Sequence, residues 1–318
     1  MLTRRQFISG AVGLAASGTF SPLDSFAEPE LKPNFDVPVG ACDCHVHVVG
    51  PQAKYPMVAD RVYTPPECGV PELRAHLKKL HLARVVLIQP SFYGTDNTFH
   101  LLALQEMGNA ARAVIVIDDK TTYQEIAKMI KMGARGVRMN LSTSGIFDPD
   151  VARKQMLALA QRIRDFKLHI QVYSSAKVIA ALSDTIQNLS VPVVLDHFAS
   201  INAAGFQKQV ELPAILDLIK SGNVYIKLSG IYRISKAAPD YAEVKDLAQL
   251  YVETNPDRMV WASDWPHTNT IPGIAPMQIT PYRMVDDVRI LNLLPEWVPD
   301  RKNLVKVLVS NPERLYDF

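Results

Sequence analysis

Residues 41–51 read ACDCHVHVVGP and place one Asp, two Cys and two His in a short β-branched run. Because side chains alternate along a strand, the run predicts one chemical face with Asp43, His45 and His47. The opposite, packing face would hold Cys42, Cys44, Val46 and Val48. Three cysteines do not make a disulfide framework, so we expect Cys42 and Cys44 to be small buried hydrophobes.

This run is the first of eight similar apolar runs that alternate with helix-like segments. They cover residues 41–49, 84–90, 111–118, 134–140, 168–173, 191–197, 224–230 and 259–265. Regular strand–helix alternation predicts parallel pairing, and a count of eight predicts closure into a single-domain (β/α)8 TIM barrel over residues 38–318. No glycine-rich dinucleotide loop follows the first run, which argues against a doubly wound nucleotide fold. The Pro-rich stretch 269–283 is expected to form a loop over the barrel mouth.

The N-terminus has the pattern of an export signal. Arg4 and Arg5 precede an apolar run, and Ser25 and Ala27 offer small residues for cleavage. We predict a twin-arginine (Tat) signal peptide over 1–27, a lead-in segment over 28–37, and a periplasmic or exported protein. The apolar run is shorter than the ~20 residues that a membrane span needs.

Composition excludes several function classes. The chain is 48% hydrophobic and 21% charged with a net charge of +2, as in soluble globular proteins. Its basic residues are scattered, so neither nucleic acid nor a membrane is an expected partner. A small-molecule substrate is the remaining expectation.

The unusual polar residues fall at the ends of the predicted strands, where active sites of such barrels gather. His45 and His47 follow the first strand, His197 the sixth and Asp264 the eighth. Two His spaced by one residue can hold a metal or an oxyanion, and a carboxylate can orient or deprotonate water. No nucleophile elbow is present, which disfavours covalent acyl transfer.

This arrangement resembles the amidohydrolase superfamily: His-x-His after strand one, His after strand six, Asp after strand eight. Further motifs resemble the branch that contains 2-pyrone-4,6-dicarboxylate lactonase and related lactonases. They are DCHVHVVGP, YTPPECGVPEL, QPSFYGTDN, GARGVRMN, VVLDHF, KLSGIYR and SDWPHT. The resemblance covers nearly all of the chain after the predicted signal peptide.

The resemblance implies hydrolysis of a small anionic lactone of the muconolactone, sulfomuconolactone, pyrone or sugar-acid type. Asp264 would be the general base, and His45, His47 and His197 would stabilise the oxyanion directly or through one metal. The residues expected to bind the substrate are Arg138, Asn140, Ser91, Tyr93, Tyr173, Arg233 and His267. No Arg follows His197 closely, which favours a substrate with one carboxylate or sulfonate, or a hydroxylated lactone.

The cofactor prediction has two alternatives. Arg138 and Met139 stand where a binuclear amidohydrolase carries a Lys, so a two-metal centre is not expected. His45, His47, His197 and Asp264 could hold one divalent metal, most plausibly zinc, whereas His169 is expected to lie too deep. We favour hydrolysis without a cofactor, because lactones are activated esters and need less Lewis-acid assistance than amides.

Three other functions are compatible with the sequence. A lactone isomerase would move the ring ester between hydroxyls without releasing free acid, and a decarboxylase would need a metal and release carbon dioxide. A periplasmic solute-binding protein would fit export and an Arg-lined pocket. Such binders usually have two lobes, unlike the eightfold repeat seen in this sequence.

Overall fold

The computed structural model describes residues 31–318, in which eight parallel strands are ordered β1 to β8 in a nearly closed barrel. The (β/α)8 prediction is therefore confirmed. The strands are β1 (Cys42–Val46), β2 (Arg84–Ile88), β3 (Ala111–Ile115), β4 (Ala134–Asn140), β5 (His169–Tyr173), β6 (Val193–Leu195), β7 (Val224–Leu228) and β8 (Met259–Trp261).

The barrel closes between the end of β1 and the segment that follows β8. Val46 forms a parallel bridge with Trp265. The amide of His47 donates to the carbonyl of Trp265 at 2.8 Å, and the amide of Asp264 donates to the carbonyl of His45 at 3.0 Å. The closing contacts therefore join the backbones of the two segments that carry the candidate catalytic residues.

The first strand contains a β-bulge that changes the predicted faces. Asp43 pairs with Val85 and Val46 with Leu87, so two residues of β1 oppose one residue of β2. Cys44 therefore faces the barrel interior together with His45, whose ring contacts Lys227 there. Asp43 instead faces outward, where it accepts hydrogen bonds from Ser263 and contacts His76. His45 and His47 share a face as predicted, but the placement of Asp43 with them is wrong, because a bulge re-aims the side chains that follow it. For the same reason Cys42 and Cys44 do not share a face with Val46 and Val48, which pack in the outer core.

Thirteen α-helices within the described range connect and surround the strands, besides several short 3₁₀ and π segments. They are α1 (Val70–Lys79), α2 (Thr98–Met107), α3 (Tyr123–Met132), α4 (Pro149–Ile163), α5 (Ala176–Ala181), α6 (Ser183–Gln187), α7 (Leu212–Lys220), α8 (Ile231–Ile234), α9 (Val244–Thr254), α10 (Asp287–Asn292), α11 (Leu294–Trp297), α12 (Arg301–Val305) and α13 (Asn311–Tyr316). Local side chains and glycines determine where these helices begin and end. Thr122 and Glu125 form a capping box at the start of α3, and Gly133 ends that helix in the left-handed conformation.

The hydrophobic core of the barrel has two parts, and Val49, Cys68, Phe92 and Tyr93 form a third cluster apart from them. The larger lies between the strands and the surrounding helices. The smaller fills the barrel interior and includes Cys42, Cys44, Val86, Val260 and Tyr316. Both cysteines are free and fully buried, as predicted from the sequence. The apolar residues inside the barrel lie below the polar strand ends.

Residues 32–318 form one compact unit. Within the lead-in segment, the Lys32 carbonyl accepts a hydrogen bond from the side chain of Asn292, the last residue of α10, and the Asn34 amide donates one to it. The predicted signal peptide over 1–27 lies outside the described residues and stays a prediction. Among the helices of residues 31–318, none is long and apolar enough to cross a membrane.

Candidate active site

A cavity of about 280 Å³ opens at the carboxyl ends of the strands. Its floor contains His47, His197 and Asp264. Its walls are formed by Val62, Tyr63, Arg138, Asn140, Ser142, Thr143, Tyr173, Arg233, Thr268, Asn269, Thr270 and Arg283. The loop 269–283 therefore contributes to the mouth of this cavity, as its composition predicts.

The structure brings the four predicted catalytic residues together. The Nε2 atoms of His45 and His47 lie 3.3 Å apart. Asp264 Oδ1 lies 3.6 Å from His45 Nε2 and 3.9 Å from His47 Nε2, and Asp264 Oδ2 lies 3.9 Å from His197 Nε2. All four side chains are buried, so they surround a small gap at the floor of the cavity.

Asp264 is held by one of its two carboxylate oxygens. Oδ2 accepts hydrogen bonds from the Tyr232 hydroxyl at 2.6 Å and from Arg233 Nε at 2.7 Å. Oδ1 is buried and has no hydrogen-bond partner among residues 31–318. Burial opposes ionisation, but the Arg233 guanidinium and the three neighbouring imidazoles together outweigh it and hold the pKa of Asp264 well below its ordinary value. Asp264 is therefore a carboxylate with one free oxygen facing the imidazoles.

The imidazoles are oriented by contacts at their other nitrogens. His47 Nδ1 lies 2.7 Å from the carbonyl of Ile88, and His197 Nδ1 lies 2.9 Å from Ser229 Oγ. A Cβ at Gly230 would lie 2.6 Å from His197 Nδ1, so only glycine allows this packing. Burial lowers the pKa of His47 to about 3 and that of His197 to about 4, and both rings are uncharged at neutral pH.

A buried charged group lies beneath His45. Lys227 is 0% exposed; its Nζ lies 2.7 Å from Gln171 Oε1, 3.2 Å from His45 Nδ1 and 3.5 Å from Asp196 Oδ1. Gln171 in turn donates to Asp196 Oδ2 at 3.1 Å. Burial lowers the pKa of Lys227 to about 8, a shift that Asp196 partly offsets. The sequence offers one signal for this residue, because Lys227 is the only charged residue in the buried strand VYIKL.

The predicted substrate-binding residues divide into two sets. Arg138, Asn140, Tyr173 and Arg233 line the cavity. Three others lie outside its lining. Ser91 and Tyr93 lie in a short 3₁₀ segment, where the Tyr93 hydroxyl accepts from the Gly50 amide. His267 is buried between Tyr232 and Asp287.

Sequence reasoning missed two groups near Asp264. Arg283 lines the cavity and forms no ion pair among the described residues; its guanidinium lies 5.5 Å from the Tyr232 ring centre. Tyr232 donates a hydrogen bond to Asp264 and also contacts His267, which is paired with Asp287. Asp287 in turn contacts His76, and His76 contacts Asp43. Tyr232 stands beside Arg233 in the quoted KLSGIYR motif, but the pattern alone does not show which of the two reaches Asp264.

The donors at the floor fit a single divalent ion in type and spacing. Ligand atoms of His45, His47 and Asp264 lie within 4.8 Å of one another, as do those of His45, Asp196 and His197. The 3.3 Å separation of the two Nε2 atoms matches that of tetrahedral zinc ligands with bonds of about 2.0–2.1 Å. A zinc ion there would polarise a carbonyl group or lower the pKa of bound water. His169, as predicted from its depth, packs instead against Tyr316 inside the barrel.

A parallel eight-stranded barrel with His-x-His, His and Asp at the ends of strands one, six and eight defines an amidohydrolase-type hydrolase. Consistently, the amidohydrolase family profile matches residues 42–318. This chain belongs to the amidohydrolase family and is an enzyme of the hydrolase class, which displaces the solute-binding alternative.

Its similar proteins include lactone-converting enzymes. A 4-sulfomuconolactone hydrolase of Rhizobium radiobacter is 31% identical over 89% of this chain and 92% of its own length. A 2-pyrone-4,6-dicarboxylate hydrolase of Comamonas testosteroni is 31% identical over 92% and 95%. A D-galactarolactone isomerase of Agrobacterium fabrum is 28% identical over 89% and 93%. An apo crystal structure from Agrobacterium tumefaciens superposes with a TM-score of 0.76 at 28% identity, covering 90% of this chain and 98% of that one.

Proposed function

We propose that this protein hydrolyses a small anionic lactone by attack of water on the ring ester, without a metal. Asp264 takes a proton from the attacking water while a new carbon–oxygen bond forms at the carbonyl carbon. The ring carbon–oxygen bond then breaks, and Asp264 returns the proton to the departing alkoxide. The products are one hydroxyl and one carboxylic acid, which ionises to a carboxylate and releases the second proton of the water.

The observation that carries the proposal is the position of Asp264 Oδ1. This oxygen is buried, lacks a hydrogen-bond partner among the described residues, and faces His45 and His47 at 3.6 and 3.9 Å. An ionised oxygen with no protein donor can accept a proton from a water that occupies the gap. Tyr232 and Arg233 hold the other oxygen and prevent the carboxylate from rotating.

The three imidazoles divide their roles in the proposed mechanism. His47 Nδ1 faces a carbonyl, which only accepts, so the uncharged ring carries its lone pair on Nε2. His47 therefore accepts a hydrogen bond from the attacking water. His45 and His197 are left to donate hydrogen bonds to the oxyanion that develops on the ring carbonyl.

The cavity wall supports an anionic substrate. Arg138, Arg233 and Arg283 line it, whereas Asp264 is its only acidic lining residue in the described chain. Arg283 has no carboxylate partner among residues 31–318, and its planar fork suits a carboxylate or sulfonate. A substrate of the muconolactone, sulfomuconolactone, pyrone or sugar-acid class carries such a group on a small ring.

Isomerisation is the second candidate, because one similar protein is a galactarolactone isomerase. The same Asp264 could pass its proton between two substrate hydroxyls while a substrate hydroxyl replaces water as the nucleophile. The two reactions differ in products: hydrolysis consumes the lactone and yields free acid, whereas isomerisation yields a second lactone.

A panel of aldonate, aldarate, muconate, sulfomuconate and pyrone lactones tests the proposal. We expect at least one anionic lactone to give equimolar acid, recorded by proton release and by chromatography. The neutral lactone of the same ring size, lacking the carboxylate or sulfonate, is the matched control and should react far more slowly. Conversion of a lactone without acid release would favour isomerisation, and an inert panel would overturn the proposal.

A further inference from the structure

We infer that Lys227 is a positioning residue that places the proton of His45 on Nε2, so that His45 faces the gap as a hydrogen-bond donor. The inference rests on the proposed function for the role of that donor. The tautomer itself follows from two contacts of His45, one at each ring nitrogen.

The first contact is at Nδ1. Lys227 Nζ lies 3.2 Å from His45 Nδ1, and an ammonium group donates hydrogen bonds but accepts none. Asp196 Oδ1 also lies 3.3 Å from Nδ1, yet it forms no hydrogen bond among the described residues. Nδ1 of His45 is therefore an acceptor, and the single proton of the uncharged ring is on Nε2.

The second contact, at Nε2, leads independently to the same tautomer. His45 Nε2 lies 3.3 Å from His47 Nε2, so one of these two atoms donates and the other accepts. The carbonyl of Ile88 fixes the proton of His47 on Nδ1. His47 Nε2 is thus the acceptor, and His45 Nε2 carries the hydrogen.

Lys227 is itself held by its surroundings. Gln171 Oε1 accepts from its Nζ at 2.7 Å, and Asp196 Oδ1 lies 3.5 Å away and balances its charge. Because the ammonium is fully buried in the barrel, it cannot turn toward water. Its donor geometry toward His45 is fixed before any substrate arrives.

The tautomer has consequences for both oxyanion and metal. In the substrate-free site the Nε2 hydrogen of His45 is directed to His47 Nε2. When substrate and water occupy the gap, that hydrogen would turn to the developing oxyanion, which leaves His47 Nε2 to accept from the attacking water. A metal at the same place would need the Nε2 lone pair, so the proton would have to move to Nδ1, against the Lys227 donor. The spacing of the donor atoms suits zinc, but Lys227 favours the tautomer of His45 that donates a hydrogen bond over the tautomer that binds zinc.

Selective ¹⁵N labelling of histidine in the wild-type protein tests the tautomer directly. We expect His45, assigned by the resonances lost in His45→Gln, to show a protonated Nε2 and an unprotonated Nδ1. The opposite pattern would overturn the inference. The measurement needs no turnover, so it stands apart from the lactone panel: an inert panel would overturn the proposed function and leave the tautomer as measured.

Zinc binding provides the second test, with competition against a chromophoric chelator and elemental analysis. Lys227→Met should raise zinc affinity by roughly 10–100-fold, the usual scale for a group that acts through a ligand. If that variant fails to fold, the labelling experiment on the wild-type protein still decides the tautomer. The exposed Lys220→Met is the control. Unchanged zinc affinity in a folded Lys227 variant would contradict the inference.

Discussion

Asp264→Asn is expected to lower kcat on the best anionic lactone by about 100-fold or more, with a smaller change in KM. The amide cannot take a proton from water, and the loss of a general base usually costs 10²–10⁴-fold, or about 3–5 kcal/mol of barrier. Substrate affinity depends more on the arginines of the cavity wall, which remain. Steady-state kinetics of the purified variant measure both parameters.

The isosteric amide keeps the fold comparable, which thermal unfolding checks. Asp257→Asn is the matched control, because that carboxylate is on the surface, paired with Lys306 and remote from the cavity lining. Its kcat should equal that of the wild type. A rate for Asp264→Asn within a few fold of the wild type would remove Asp264 from the mechanism.

Asp43→Ala is expected to lower the free energy of unfolding by about 3 kcal/mol or more. Asp43 is 0% exposed and accepts from the Ser263 amide at 3.0 Å and from the His45 amide at 3.2 Å. Its other oxygen meets Ser263 Oγ and His76 Nε2. The alanine variant leaves these donors unpaired in the interior, at the point where β1 meets β8.

Chemical denaturation with matched m-values measures the loss, since a changed slope would signal a change beyond stability. Asp43→Asn is the control: its oxygen can still accept from both amides, so we expect a smaller loss. Equal stability of Asp43→Ala and the wild type would show that Asp43 does not secure the closure of the barrel.

The order of elements could be predicted from the sequence because each strand is a short apolar run followed by a helix-like segment. The strands of the structure all lie within the eight predicted runs. The faces of β1 could not be predicted, since a bulge depends on how β1 pairs with β2 rather than on its own letters. Strict alternation therefore failed between Asp43 and His45, where the bulge lies.

The candidate site, like the fold, could be predicted from the sequence only in part. His45, His47, His197 and Asp264 converge because strand ends of one barrel meet at one mouth. Contacts between segments that are distant in sequence could not be predicted. Tyr232 donates a hydrogen bond to Asp264, and Lys227 contacts His45 inside the barrel. Arg283, at the end of the loop 269–283, lines the cavity. Each depends on side-chain direction across strands, which residue spacing along one strand does not specify.

Turnover of the metal-stripped protein in H₂¹⁸O tests the central claim most directly. Water attack by a metal-free site predicts an undiminished rate and one ¹⁸O atom in the new carboxylate, read by mass spectrometry of the product and its fragments. An unlabelled product would show that water is not the nucleophile. Activity that returns only when zinc is added would show that the site requires a metal. Either result would contradict the account.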